Sequence, residues 1–194
     1  MGINLFDKIA GKLVENETIS AEDKELYEYG LRQAANTFAT VATTLVIGFI
    51  VGMVWQSVLF MVSYIPLRSY AGGYHARTPL RCYIFSVILT IGVLTGIRYI
   101  PHSTILVGSL VAVASTVIFI FAPFADENKP LDEVETRVFK KRMRIILFAE
   151  IALVGLFWVL GLMWITVCIV VSVVVVSGMV TLGVLKRIIL RAKK

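Results

Sequence analysis

The sequence contains few charged residues and few cysteines. Charged residues make up 16% of the 194 positions, whereas soluble domains carry about 25%, and hydrophobic residues make up 58%. This composition excludes an ordinary soluble domain. The two cysteines, Cys82 and Cys168, are too few for a disulfide framework, and Cys168 lies in an apolar run where we expect it to pack as a small hydrophobic residue. Residues 1–30 mix both signs of charge and lack an apolar core, so we expect no cleavable signal peptide.

Long apolar runs fill most of the chain, whose mean hydropathy is +0.84. Several runs reach the length of about 18–20 residues that crosses a bilayer as a helix. The sequence therefore predicts an all-α fold, a polytopic helical membrane protein with about six transmembrane segments, of which residues 57–67 are short enough to be re-entrant. The predicted parts of this single membrane domain (1–194) are N-terminal amphipathic and cytoplasmic helices (1–36), a first helical pair (37–67), a central loop (68–81), a second helical pair (82–122), a cytoplasmic loop (123–144), a third helical pair (145–185) and a basic tail (186–194).

The basic residues are distributed unevenly along the chain. With six segments and both termini in the cytoplasm, all 19 lysines and arginines except Arg98 fall on the cytoplasmic side, as the positive-inside rule requires. We therefore interpret the net charge of +6 as a sign of membrane topology and expect no nucleic-acid partner. Residues 3–14 place apolar side chains at helical spacing. This pattern predicts an amphipathic helix that lies in the membrane interface or packs on the cytoplasmic side of the protein.

The central loop carries the residues with the most reactive chemistry. Thr78-Pro79 is typical of a helix start, with threonine as N-cap and proline in the first turn. Cys82 then lies in that first turn, where the positive end of the helix dipole favours a thiolate. Gly72-Gly73 allows a turn that brings His75 back toward the sulfur. We predict that Cys82 is a nucleophile and His75 its general base.

Neighbouring residues would support this pair. Arg77 and Arg81 flank Cys82 and favour the thiolate, and Ser86, one helical turn beyond Cys82, is placed to orient the pair or to donate to an oxyanion. A cysteine and a histidine this close together also occur by chance, so a basic cytoplasmic loop with a buried thiol is the alternative. A metal site is disfavoured because no further cysteine or histidine has suitable spacing, and no cofactor is expected.

Glu150 is an acidic residue inside the fifth apolar segment, which makes it a functional candidate by default. We expect it to form a structural ion pair with Arg68 or Arg144, or to support His75. A small membrane transporter or channel subunit that uses Glu150 is therefore an alternative function. The sequence shows no paired interrupted segments in two halves, which argues against a transporter. A signalling or scaffold membrane protein is a third possibility, and it would tolerate loss of both Cys82 and His75.

Two stretches of the chain resemble the accessory gene regulator protein B (AgrB) family. The first stretch carries, in the family's spacing, the motif residues Arg68, Gly72, Gly73, His75, Thr78, Cys82 and Ser86. The second stretch, residues 122–131, begins with Ala-Pro and has Lys129-Pro130 near its end. The length of the chain and its six-segment layout also fit the family along essentially the whole chain.

The resemblance implies a membrane cysteine endopeptidase of Gram-positive bacteria. Such an enzyme cleaves the C-terminal tail from a small propeptide, AgrD, through an acyl-enzyme thioester, and a cysteine of the propeptide then closes a thiolactone ring to give an autoinducing peptide for quorum sensing. The motif cysteine, here Cys82, is the nucleophile and the motif histidine, here His75, is the base. Arg68 and Gly73 match positions that the family needs for activity.

The resemblance also implies the surroundings of the enzyme. It indicates a protein of the bacterial plasma membrane and a homodimer. The distribution of basic residues predicts a multi-pass chain whose central loop, and with it the active site, faces the cytoplasm. An AgrD-like propeptide and the lipid membrane are the expected partners. Basic residues near the site would hold the acidic tail of the propeptide, although positive-inside topology already accounts for their charge. These candidates are Arg77, Arg81, Lys129, Lys140 and Lys141.

Overall fold

The computed structural model describes residues 5–74, 78–101, 103–124 and 132–192. In these ranges the chain forms seven α-helices and no strand longer than a single bridge, which confirms the predicted all-α class. The helices are α1 (Leu5–Glu15), α2 (Lys24–Ile50), α3 (Val54–Ala71), α4 (Pro79–Tyr99), α5 (Thr104–Phe121), α6 (Glu133–Val159) and α7 (Met163–Ala192).

Four of these helices, α2, α4, α5 and α7, are long and apolar enough to cross a membrane. The two remaining predicted crossings correspond to α3 and α6. Helix α3 has 18 residues, with Pro66 in its interior and Arg68 in its last turn. Helix α6 begins with a charged half that ends at Arg144, and its apolar half is shorter than a full crossing. The protein is thus a helical membrane protein, and the count of six crossings with two cytoplasmic termini remains a prediction.

The chain divides into two compact units, Met1–Thr43 and Thr44–Lys194. In the first unit, Lys24 at the start of α2 forms an ion pair with Asp7 of α1, with 2.9 Å between Nζ and Oδ1. Helix α1 buries Ala10 and exposes Leu5, so its apolar residues are only partly covered.

The second unit is built around α7, which packs against α3, α4, α5 and α6. Its valines at helical spacing are almost fully buried, and Cys168 is 0% exposed in the same core, which confirms its predicted packing role. By contrast, α4 and α5 leave most of their apolar surface uncovered. Apolar side chains that face outward from a helical core suit a lipid environment. The buried valines of α7 are Val167, Val170, Val173, Val176 and Val180.

The helices extend further than the sequence predicted. Helix α3 continues to Ala71, so Arg68 lies in its last turn instead of opening the central loop. Helix α6 begins at Glu133, after an Asp132 capping box in which the backbone N–H of Glu135 donates to the Asp132 carboxylate at 2.6 Å. The predicted cytoplasmic loop is therefore helical over its basic half. The predicted basic tail likewise continues α7 as far as Ala192.

Candidate active site

The start of α4 has the geometry that its sequence predicts. Thr78 adopts an extended backbone, and its side-chain oxygen accepts a hydrogen bond from the backbone N–H of Arg81. The backbone N–H of Cys82 donates to the Thr78 carbonyl at 3.1 Å. Cys82 thus lies in the first helical turn, half-buried and with a free thiol.

Arg68 closes the end of α3 and holds the segment that follows it. Its guanidinium donates from Nη1 to the Gly72 carbonyl and from Nη2 to the Tyr74 carbonyl, the latter at 2.7 Å. The last carbonyls of a helix have no partner inside the helix. Because Arg68 reaches past the helix end, it binds two carbonyls of the loop and fixes the backbone immediately before His75.

Three glycines allow the backbone of this loop to approach its neighbours. Gly72 and Gly73 have φ values of 71° and 117°, which residues other than glycine rarely adopt. A Cβ on Gly72 would collide with the carbonyl oxygen of Phe124, and a Cβ on Gly73 would lie 2.8 Å from the carbonyl oxygen of Met179. Gly183 of α7 leaves room for the Phe124 ring, which would lie 2.9 Å from a Cβ there. Both conformation and space therefore require glycine at positions 72 and 73, and space favours it at position 183.

Backbone hydrogen bonds tie the loop to two distant parts of the chain. The Phe124 N–H donates to the Ala71 carbonyl at 2.9 Å, and the Gly73 N–H donates back to the Phe124 carbonyl at 3.4 Å. The Tyr74 N–H donates to the carbonyl of Met179 in α7 at 2.9 Å. The Gly-Gly turn and the segment around Pro123, which the sequence presents as two separate stretches, are thus one structure.

Tyr74 extends this arrangement toward α4. Its ring centroid lies 5.9 Å from that of Phe85, which is on α4 just beyond Cys82. The Lys186 ammonium of α7 lies 5.4 Å from the Tyr74 ring centroid, within the range of a cation–π interaction. The residue before His75 is therefore held between the helix that carries the thiol and the central helix α7.

Tyr64 is a residue of this region that sequence reasoning missed. Its side chain packs against both hydrophobic clusters of the bundle, on the same helix as Arg68. Its ring stacks on Phe60, with centroids 5.1 Å apart. The available signal was its spacing, because residues four apart on a helix share a face and Tyr64 lies four residues before Arg68.

The structure places the other predicted site residues as follows. His75, Arg77 and Lys129 lie outside the described residues, so their predicted roles remain predictions. Ser86 donates its hydroxyl proton to the Cys82 carbonyl at 3.0 Å, which is a hydrogen bond within α4. Three further candidates for holding an acidic tail are exposed, namely Arg81, Lys140 and Lys141.

Glu150 has neighbours different from those expected. It is 5% exposed, and its Oε1 accepts a hydrogen bond from the Ser63 hydroxyl at 2.9 Å. Ser63 also bonds Ser172, whose hydroxyl donates to the Ile169 carbonyl at 2.9 Å. The guanidinium of Arg144, one of the two predicted ion-pair partners, lies 4.4 Å from the ring centroid of Phe119. Glu150 therefore joins three packed helices through hydroxyl groups.

A cavity of about 340 Å³ lies away from this loop. It is formed by the turn between α2 and α3, the end of α4 and the start of α7, and its polar lining residues include Gln56 and Arg98. Over the part of the chain that the structure describes, no group of three or more His, Cys, Asp or Glu residues could hold a metal ion.

These features define a helical membrane protein that presents a half-buried thiol at the start of one helix, beside a loop fixed by arginine and glycine. Comparison with known proteins gives its family. The chain belongs to the accessory gene regulator B (AgrB) family, whose model matches residues 6–182. Membership in this family links the chain to accessory gene regulator quorum sensing and to the AgrD propeptide of that system.

Relatives from three genera support this assignment. The accessory gene regulator protein B of Staphylococcus saprophyticus is 25% identical over 152 residues, which cover 78% of this chain and 80% of that protein. An AgrB-like protein 2 of Clostridium perfringens is 25% identical over 170 residues, covering 80% and 78%. An AgrB-like protein of Listeria monocytogenes is 27% identical over 147 residues, covering 74% and 72%. No solved structure matches the chain.

Proposed function

We propose that the protein is a membrane-embedded cysteine endopeptidase that removes the C-terminal tail of an AgrD-like propeptide and promotes cyclisation of the remainder. The observation that carries this proposal is the placement of Cys82. Its thiol is half-buried in the capped first turn of α4, next to a loop that Arg68 and Phe124 hold in a defined conformation. A rigid setting around a nucleophile lowers the entropic part of the reaction barrier.

The proposed reaction has two acyl transfers. The Cys82 thiolate attacks the carbonyl carbon of the peptide bond before the tail, and the C–N bond breaks to leave a thioester on Cys82. His75 takes up the thiol proton and delivers it to the leaving amine. The thiol of a propeptide cysteine then attacks the thioester, loses its proton and forms a thiolactone, which releases Cys82 as a thiol.

The surroundings of the site favour ring closure over hydrolysis. In the second step the thiolactone replaces the acyl-enzyme thioester, so the reactant and the product have similar free energies. Water would divert the intermediate irreversibly to an acid. A site that the membrane shields from water would protect the intermediate.

Binding of the acidic tail is assigned to the exposed basic residues. Arg81 lies one residue before the nucleophile, and Lys140 and Lys141 lie in the charged half of α6. We propose that they hold the tail together with Arg77 and Lys129. In this proposal the protein is a homodimer in the bacterial plasma membrane, and its active site faces the cytoplasm. Neutral residues in place of Lys140 and Lys141 would then raise KM for the propeptide.

The test uses purified protein in liposomes with a cognate propeptide, followed by mass spectrometry. Wild type is expected to release the tail and to show a mass adduct on Cys82. The variants Cys82→Ala and His75→Ala are expected to lose both signals, whereas Cys168→Ala is the matched control and is expected to retain them. Cleavage by Cys82→Ala at the wild-type rate would refute the peptidase proposal and would direct attention to transport and to Glu150.

A further inference from the structure

Arg142 lies in the charged half of α6, and its exposed side chain is held against the end of α3. Its Nη1 donates a hydrogen bond to the Tyr70 hydroxyl at 3.0 Å, and its Cζ lies 5.6 Å from the centroid of the Tyr70 ring. That ring packs edge-on against Phe139, one helical turn before Arg142, with centroids 5.4 Å apart. An exposed arginine normally samples many rotamers, whereas this one is anchored on both the face and the hydroxyl of a tyrosine.

The bond between these two side chains leaves hydrogen-bond donors unused. A guanidinium has several N–H donors and no acceptor, so the phenolic oxygen of Tyr70 accepts and keeps its own proton. In the part of the chain that the structure describes, neither that hydroxyl proton nor the other N–H groups of Arg142 have a hydrogen-bond partner. The pair therefore presents N–H and O–H donors side by side to a group that approaches from solvent.

The charge of Arg142 is not neutralised by an acidic side chain within the described ranges. The two ion pairs of those ranges both lie in the N-terminal unit. Two acidic residues at the start of α6 are engaged in its capping box. Lys140 and Lys141, on the same helix, are exposed and add charge of the same sign. Unused donors in a positive environment are suited to bind an anion, and a carboxylate matches the planar guanidinium.

The pair lies at the end of α3 that carries the loop before α4. Tyr70 is two residues after Arg68 and two residues before Gly72 in the sequence. Arg68 holds the loop through the carbonyls of Gly72 and Tyr74, and α6 packs against α3. A group bound by Arg142 and Tyr70 would therefore lie beside the loop that the proposed function places next to the nucleophile.

We propose that Arg142 and Tyr70 form a carboxylate-binding site that recognises an acidic side chain in the C-terminal tail of the propeptide. This inference rests on the proposed peptidase function for the identity of its ligand. It differs from the assignment of Lys140 and Lys141 to the tail, because Arg142 is held in place before the ligand arrives and needs less ordering on binding. A bond that only packs α6 on α3 would influence stability and leave binding of the peptide unchanged.

The experiment measures binding without turnover. Cys82→Ala protein in phosphatidylcholine nanodiscs is titrated with a fluorescent synthetic peptide of the acidic tail, and with a second peptide in which Asn and Gln replace Asp and Glu. Arg142→Gln is compared with Arg137→Gln, which removes the same charge from another exposed position of α6. Tyr70→Phe keeps the aromatic ring and is compared with Tyr99→Phe at the far end of α4, where the side chain is 75% exposed.

Arg142→Gln is expected to raise the Kd of the acidic peptide about tenfold and Tyr70→Phe about threefold, because each removes a hydrogen bond to a charged group. The double variant should lose less than the product of the two separate effects, since both side chains bind one carboxylate. The two control variants should change Kd less than about twofold. Equal weakening by Arg142→Gln and Arg137→Gln would refute the site, as would an equal effect of Arg142→Gln on the acidic and the neutral peptide.

A lipid phosphate is the competing ligand for a guanidinium near a membrane surface. The titrations are therefore repeated in nanodiscs that contain phosphatidylglycerol. If Arg142→Gln weakens binding of the acidic peptide in pure phosphatidylcholine, the peptide itself is the ligand. If the effect appears only with phosphatidylglycerol, Arg142 binds lipid and the proposal is wrong.

The inference and the proposed function fail in different ways. In cleavage assays of otherwise wild-type protein, Arg142→Gln is expected to raise KM about tenfold and to leave kcat within about twofold, the pattern of a contact made equally in the bound and transition states. If Cys82→Ala cleaves normally, the peptidase function fails, and the titrations still decide whether Arg142 and Tyr70 bind the acidic peptide. Unchanged Kd and KM in Arg142→Gln would overturn the inference without affecting the role of Cys82.

Discussion

Two polar groups on α3, little more than one helical turn apart, have different kinds of partner. Ser63 bonds the side chains of Glu150 in α6 and Ser172 in α7, so it joins helices that are already packed. Arg68 bonds the backbone carbonyls of Gly72 and Tyr74, which lie beyond the end of α3, so it shapes a loop. Buried polar groups need partners wherever they lie. The kind of partner distinguishes the two regions.

This difference separates packing from chemistry inside one bundle. The Ser63 group holds a carboxylate, which is the usual sign of function inside a membrane, yet its described bonds connect helix to helix. Arg68 holds the loop in which Gly72 and Gly73 have positive φ values, and this loop leads to the helix that carries Cys82. We therefore expect substitutions near Arg68 to change the reaction and substitutions near Ser63 to change mainly stability.

The largest effect is expected from Arg68→Lys. Lysine keeps the charge but offers a single ammonium group, which cannot bond two carbonyls in the geometry of a planar guanidinium. Each hydrogen bond to a charged group contributes about 1.5–3 kcal/mol, so loss of one should reduce cleavage of the propeptide at least tenfold and loss of both about 100-fold or more. The measurement is kcat/KM for tail release in liposomes.

The matched control for this change is Arg98→Lys, because Arg98 lies at the far end of α4 beside the distant cavity. It should cleave within about twofold of wild type, as expected for a surface substitution. Wild-type activity in Arg68→Lys would mean that the two carbonyl bonds are dispensable, and the contrast between the two polar groups of α3 would then lose its basis.

A smaller effect is expected from Gly73→Ala. The new Cβ would lie 2.8 Å from the Met179 carbonyl oxygen, at a φ of 117°. A strained backbone of this kind costs about 1–3 kcal/mol, and displacement of the loop away from α7 would move Tyr74. Cleavage should fall about tenfold and Tm should fall with it.

Gly155→Ala in α6 is the matched control for this change. A Cβ there meets no described atom within 4 Å, and alanine is the better helix former by about 1 kcal/mol. This variant should keep its activity and should unfold at the wild-type temperature or slightly above it. If both alanine variants behave alike, the crossing of the loop with α7 does not control the site.

These residues also show how far the sequence leads. The start of α4 and the position of Cys82 follow from Thr78 and Pro79 alone, because helix capping is a local property. The Gly72–Gly73 turn is local in the same way. The contacts of that turn with Phe124 and Met179 join parts of the chain that are far apart, and no local pattern encodes them. Glu150 was expected to pair with an arginine, whereas its hydrogen-bond partner is Ser63. Charge suggests that an ion pair exists, but it does not locate the partner in the fold.

The smallest effect is expected from Glu150→Gln, which tests the Ser63 side of the comparison. The amide oxygen of glutamine can accept the Ser63 hydroxyl as the carboxylate Oε1 does, at similar volume. Cleavage should stay within about threefold of wild type, because the described bonds of Glu150 do not reach the loop.

Glu150→Leu removes the acceptor, leaves Ser63 and Ser172 to bond each other, and should lower stability by about 1–3 kcal/mol. Thermal unfolding and propeptide cleavage, measured on the same liposome preparations, separate these outcomes. If Glu150→Gln abolishes cleavage while its Tm equals that of wild type, the charge of Glu150 takes part in the reaction. The distinction between a structural role for Ser63 and its partners and a catalytic role for Arg68 and its partners would then be wrong.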